Sequence, residues 1–342
     1  MTDAHAGAGG GPPPSATPPP AAPATARSTR FPWAGWLGTA VAVAATWGLA
    51  LYAVPWVDAY LADVVVRIGI TLLAVLGLVL VLGFTGQFSL GHAGFMAVGA
   101  YTSAWLCTHT GLPPALGALA GGAVAALAGF AVGLPSLRLA GDYLAVVTLG
   151  FNGIILVLIQ NSRALGGAQG MTGLPTLETY DTPGRAFGWV ATYLLLGALL
   201  LRNLRHSRHG RAFQAVRDNE IAVRSLGIDT TRVKVTAFAI GAAYAGVAGG
   251  LFAHYRASIF PSVFDLPRSV ELLAMVVLGG AGSLSGPMLA GAVLTALPEV
   301  LRPVADIRMV LYAVLLVVMM IVRPSGLLGA RELSDLFRRA PR

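Results

Sequence analysis

Runs of about 20 mostly apolar residues, the length that crosses a hydrocarbon core as a helix, recur along the chain. They fall near 34–54, 64–83, 91–108, 115–134, 142–160, 187–204, 235–255 and 306–322. The stretch 270–301 does not fit this pattern. It is apolar except at Glu271 and Glu299, yet GGAGSLSGP interrupts it at 279–287. A single helix over 270–301 would be about 48 Å long, against a hydrocarbon core of about 30 Å. The pattern therefore predicts two short helices joined by a Gly/Ser/Pro turn in or near the membrane. Non-helical backbone at that depth is tolerated only inside protein or beside a water-filled cavity. Re-entrant hairpin and two short crossings are both open. The sum is about ten apolar segments in an all-α, polytopic transmembrane bundle over 31–328.

The polar punctuation sets the sidedness. Residues 1–30 are rich in Pro, Ala, Gly, Ser and Thr and cannot bury enough apolar surface to offset ordering entropy, so a disordered tail is expected. It does not read as a signal peptide, because no small-residue cleavage site follows its first apolar run. Arg27 and Arg30 precede that run. Eight of the 23 basic residues (Arg202, Arg205, Arg208, Arg211, Arg217, Arg224, Arg232 and Lys234) lie in 202–234, and 329–342 holds four more arginines. Basic loops stay on the cytoplasmic side, so both termini and a loop over 205–234 are expected there. Six crossings precede that loop, which leaves the outer side to residues near 170. Pairs such as Arg138 with Asp142 read as interfacial, and Glu271 has Arg268 three residues away.

Composition sharpens this. Hydrophobic residues make up 56% of the 342, charged residues only 11%, and mean hydropathy is +0.72. Soluble domains carry about 25% charged residues, so an ordinary soluble enzyme is excluded. The net charge of +8 is explained by topology, and no basic domain for nucleic acid stands apart. Cys107 is the sole cysteine, which leaves no intrachain disulfide or thiolate cluster. No His pair has metal-site spacing, and no cofactor motif occurs. There is no GxxxxGK[ST] and no GxSxG. The chain is not expected to be an enzyme, and any ATP hydrolysis belongs to a separate subunit.

Two kinds of stretch carry candidate chemistry. RAFQAVRDNEIAVRSLGI has helical periodicity, with Phe213, Val216, Ile221, Val223 and Leu226 apolar and Gly227 placed as a helix stop. This predicts one amphipathic helix, too polar to span, that lies on the membrane or docks on a partner. A solvated positive-inside loop explains the pattern about equally well. GFTGQFSLGHAG, with Gly86, Gln87, Ser89, Gly91 and His92, interrupts an apolar region, as do Gly282, Ser283, Ser285 and Gly286 in the second hairpin. Each reads either as a solute path or gate built on broken helices, or as a cytoplasmic-end turn whose polar atoms are satisfied internally. His92 by itself reads as a packing histidine.

The segment GxxxxAxRDNExAxxxLGI resembles the coupling segment of ABC-transporter permeases, a Glu-Ala-Ala-like element that ends in Gly and docks on the ATPase. Glu220, Ala222 and Gly227 match it, with Ile221 a departure from the strict string. Gly210, Arg211, Arg217 and Asp218 fall within the same segment. Together with GFTGQFSLGHAGFMAVGAY, LPSLRLAGDYLAVVTLGF and ELLAMVVLGGAGSLSGPMLAGA in that order, the chain resembles LivM-type permeases of branched-chain amino acid importers over about 60–328. The resemblance implies a bacterial inner-membrane subunit, surrounded by lipid, that imports leucine, isoleucine and valine by alternating access. It implies a second homologous permease, two cytoplasmic ATPases and an external solute-binding protein as partners. ATPase closure would push on 208–230 and rock the spans that this loop joins. A related permease for urea or another small solute, and an ion-coupled transporter, remain as alternatives; the latter normally needs paired mid-membrane charges.

Overall fold

The computed structural model describes residues 33–52, 58–136, 142–177 and 184–301, and beyond them Val314 and Val317. Both tails, Arg138 and, but for those two valines, the run at 306–322 lie outside the described residues. The rest is helical: α1 (Trp33–Tyr52), α2 (Ala59–Leu78), α3 (His92–Thr110), α4 (Pro114–Ser136), α5 (Asp142–Asn161), α6 (Arg185–His206), α7 (Arg208–Asp218), α8 (Glu220–Ser225), α9 (Thr230–Arg256), α10 (Leu266–Gly279) and α11 (Ser285–Val300). Two residues from β1 (Met171–Thr172) pair antiparallel with β2 (Ser258–Ile259). Among the described residues, five stretches are long and apolar enough to cross a membrane: 59–84, 114–136, 143–161, 185–206 and 230–256. The large side chains that α4 and α5 leave exposed, such as Leu127, Phe130, Ile154 and Leu158, form an outer surface suited to lipid.

α9 is the central strut, packed on α2, α3 and α4. Small residues permit this. A Cβ added at Gly99 would lie 2.1 Å from the Gly246 carbonyl oxygen, one at Gly249 would lie 2.0 Å from that of Met96, and one at Gly121 would lie 2.3 Å from that of Gly99. Backbones in direct contact are how helices associate where lipid supplies no hydrophobic drive. Polar atoms in this seam are matched: His254, fully buried, has Nε2 2.8 Å from Ser103 Oγ and Nδ1 2.7 Å from the Pro175 carbonyl oxygen.

Two segments depart from straight helices. α2 continues as a π-helical turn over Val79–Phe84 and then unwinds at Thr85. The chain next runs back along its own helix, because His92 Nε2 sits 3.0 Å from the Ala74 carbonyl oxygen. Ala74 is ten residues before Phe84, or about 15 Å at 1.5 Å per residue. The segment after α2 therefore re-enters the bundle beside that helix. The stretch 270–301 forms two short helices, α10 and α11, joined at 280–284, and Gly280 takes φ +97° at the turn. Glu271 pairs with Arg268 at 2.6 Å.

Candidate functional site

The segment 205–234 is built as a bent pair of helices, not one. Ser207 caps α7 by accepting from the Gly210 N–H at 3.2 Å, and Gly210 sits where a Cβ would be 2.1 Å from the Leu204 carbonyl oxygen. This closeness folds α7 tightly under the end of α6. At Asn219 the backbone turns extended (φ −159°, ψ 98°), and its side chain accepts from the Ala222 N–H at 3.0 Å, so a new helix, α8, begins. The continuous helix expected from the periodicity is corrected here. An Asn followed by Glu is a cap and first-turn acid, a signal present in the sequence but outweighed by the apolar spacing.

The bend redistributes the apolar face. Phe213, Val216 and Val223 are buried, while Ile221 and Leu226 are 83% and 78% exposed. α8 is nevertheless held firmly. Glu220 accepts from Arg224 at 2.7 Å and from the Thr230 hydroxyl at 3.1 Å, and its other oxygen meets the Lys234 ammonium. Burial alone would raise the Glu220 carboxyl, but Lys234, with Arg224 and Thr230, outweighs it and holds the group below its ordinary value. Gly227 closes α8 at φ +79°, donating its N–H to the Arg224 carbonyl at 3.0 Å. Arg211 is exposed and donates to the His206 carbonyl at 3.2 Å. Thr230 and Lys234, the chain's only lysine, lie outside the candidate coupling residues named from the sequence, yet both hold Glu220.

The candidate sets that lie far apart in sequence meet at the unwound end of α2. Arg217 donates Nη1 to the Gly83 carbonyl at 2.8 Å, and donates to Asp218 Oδ1 at 3.0 and 3.1 Å. Gly86 has φ +68°, with Arg217 Cγ 3.0 Å from where its Cβ would be. Gln87 donates Nε2 to Thr85 Oγ1 at 2.8 Å and to the Lys234 carbonyl at 3.3 Å. From the other side, a Cβ at Gly83 would lie 2.3 Å from the Ala281 carbonyl oxygen. The end of α2 is thus gripped by α7 on one side and by the 280–284 turn on the other.

Of the remaining polar positions, Ser89 and Ser283 are buried in packing, and Ser285 is half-buried. Ser89 is 1% exposed, the Leu90 N–H donates to Thr148 Oγ1 at 3.0 Å, and a Cβ at Gly91 would lie 2.4 Å from the Thr148 carbonyl oxygen. In the hairpin, Ser283 is buried and its Oγ accepts from the Gly286 N–H at 3.2 Å, with Gly282 beside it and Ser285 opening α11. Gln87 Oε1 is buried without a hydrogen-bond partner among the described residues. The Arg217 guanidinium links α7 to the end of α2, and the Gln87 amide links the segment after α2 to α9.

The sequence matches the family described as branched-chain amino acid transport system, permease component, over residues 60–323. The high-affinity branched-chain amino acid transport system permease protein LivM of Salmonella typhimurium is 41% identical over 282 residues, which cover 74% of this chain and 66% of the relative. LivM of Escherichia coli is 40% identical over 282 residues, with the same two shares. The permease protein LivH of Escherichia coli is 28% identical over 294 residues, 77% of this chain and 92% of the relative. The matched part thus spans just under two thirds of the two LivM proteins. No solved structure matches the chain.

Proposed function

The chain belongs to the family of branched-chain amino acid transport permeases, and from that premise we propose that it is the membrane subunit of an ATP-driven importer of leucine, isoleucine and valine. In this reading α8 is the docking element for an ATPase subunit. One observation carries it: Ile221 on α8 and Leu226 at its C-terminal cap are exposed, while the helix itself is held by the Glu220 cluster. Exposed apolar side chains on a polar, rigidly held loop mark a protein-binding surface. Arg217 then passes movement of α7 to the end of α2, and Gly83 passes it to the 280–284 turn. Movement therefore reaches a broken helix directly, and not only the spans on either side of the loop.

The subunit would work with two ATPases, a second homologous permease and an external solute-binding protein, in the inner membrane with both termini cytoplasmic. The basic residues of 202–234 support that orientation. Nucleotide-driven closure biases inward and outward states through differential contacts, and the 83–92 and 280–286 segments are the candidate gate.

The test is the pair Ile221→Asp and Leu226→Asp, which alters only exposed positions. In membranes of a strain lacking the native copy, ATPase co-purification and labelled leucine uptake should both fall at least about tenfold, the equivalent of about 1.4 kcal/mol of binding. Normal uptake and co-purification by the double variant would overturn the docking assignment.

A further inference from the structure

At the end of the bundle opposite α8, a cavity of about 380 Å³ lies among α2, the end of α9, the turn at Pro261–Phe264, α10 and α11. That volume is in the range of small-molecule sites. Most of its charged lining is internally paired. Arg67 holds Asp63 at 2.9 Å and also Glu299, which takes the Tyr60 hydroxyl as well. Arg268 holds Glu271 at 2.6 Å and donates to Thr71 Oγ1 at 3.0 Å.

Two groups are left over. The Arg256 guanidinium lines the cavity with no hydrogen bond or ion pair among the described residues. Thr295, also in the lining, has its Oγ1 buried without a hydrogen-bond partner among the described residues. Thr108, Thr192 and Thr236 donate their hydroxyls to the carbonyl four residues back, but Thr295 does not. Three arginines and two glutamates line the space, and Asp63, behind the lining, is held by Arg67, so Arg256 is the one arginine of the three with no carboxylate beside it among the described residues. Met96, Phe252 and Phe264 supply apolar wall.

A spare cation, an unmatched hydroxyl and a hydrophobic wall together describe one kind of ligand. It has a carboxylate, a second polar group close by, and a hydrocarbon body. We propose that this cavity is a solute site for an aliphatic α-amino acid. Arg256 takes the carboxylate, Thr295 Oγ1 accepts from the ammonium, and the side chain lies against Phe252 and Phe264. Glu271 and Glu299 keep the cavity favourable to the ammonium end. A guanidinium is suited to a carboxylate because its donors match both oxygens. This assignment rests on the reading of the chain as an amino acid permease.

The experiment uses Ser258→Cys in the full permease assembled with its partner subunits in proteoliposomes. Ser258 lines the cavity, and the natural Cys107 is buried. Labelling by a membrane-impermeant sulfonate thiol reagent should slow at least about fivefold in saturating leucine, a difference of about 1 kcal/mol. Leucinol, which lacks the carboxylate, should not protect, and adding Arg256→Ala should remove protection by leucine. Absence of leucine protection in vesicles that take up leucine overturns the site and leaves the transport reading intact. Absence of leucine uptake by the unmodified complex overturns both. If Ser258→Cys does not assemble, Thr295→Val decides the matter. It should raise the half-saturating leucine concentration about tenfold, and an unchanged value overturns the site.

Discussion

The two ends of α9 hold similar side chains in opposite states of commitment. At Thr230 the Glu220 carboxylate is fully engaged by a lysine, an arginine and a hydroxyl, and what remains outward is apolar: Ile221 and Leu226. At Arg256 the order is reversed. Apolar side chains turn inward around a cavity, and the Arg256 guanidinium and the Thr295 hydroxyl have no partner among the described residues. Polar groups that satisfy one another rigidify the structure, and a rigid apolar surface suits a protein partner. Polar groups without protein partners around a partly open cavity suit a small ligand that brings the missing partners. In the proposed reading, α9 joins the docking surface for a protein to the cavity for a solute.

The comparison is broken most completely by cutting the strut between the two ends. Gly249→Val would force a branched side chain against the Met96 carbonyl, 2.0 Å from where the Cβ falls. Overpacking costs about 1–3 kcal/mol even where neighbours can yield, and backbone yields little. Leucine uptake, ATPase co-purification and the detergent melting temperature should all fall together, and loss of only one of the three would show that the ends are independent.

A smaller and more selective effect is expected from Arg217→Ala. It removes a charge-assisted hydrogen bond to Gly83, of the kind worth about 1.5–3 kcal/mol, at a side chain 36% exposed, so the low end applies. ATPase subunits should still co-purify, while leucine imported per ATP hydrolysed drops severalfold. Unchanged coupling would remove the α7-to-α2 link from the mechanism.

The mildest perturbation is pH. Because Glu220 is held below its ordinary carboxyl value in the fold, its contribution is complete above the ordinary carboxylate range. It is lost as pH falls through the depressed folded value. Hydrogen exchange of the α8 amides should therefore show flat protection from neutral pH down to that range and a decline only below it. A decline beginning near neutrality would point to a different group.

Much of this architecture was legible in the sequence because its causes are local. Apolar run lengths give the helices, GGAGSLSGP gives the break between α10 and α11, and the clustered arginines single out 202–234. The Asn219 cap is local too, but it competed with an equally local periodicity that pointed to a single helix. Whether a polar residue such as His92 or Ser283 packs or faces a path depends on what surrounds it, and sequence spacing does not supply that.

What the amino-acid order determined by itself was the membrane class, the helices and the polar segment that stands apart from them. Only the tertiary structure decided that Arg217 meets Gly83 across 134 positions, that 85–91 folds back beside α2, and that Arg256 and Thr295 share one cavity. The reason is physical. Helix formation and capping depend on neighbours within a few residues, whereas these meetings depend on how closely whole helices approach, and glycines at 99, 121, 246 and 249 set that distance.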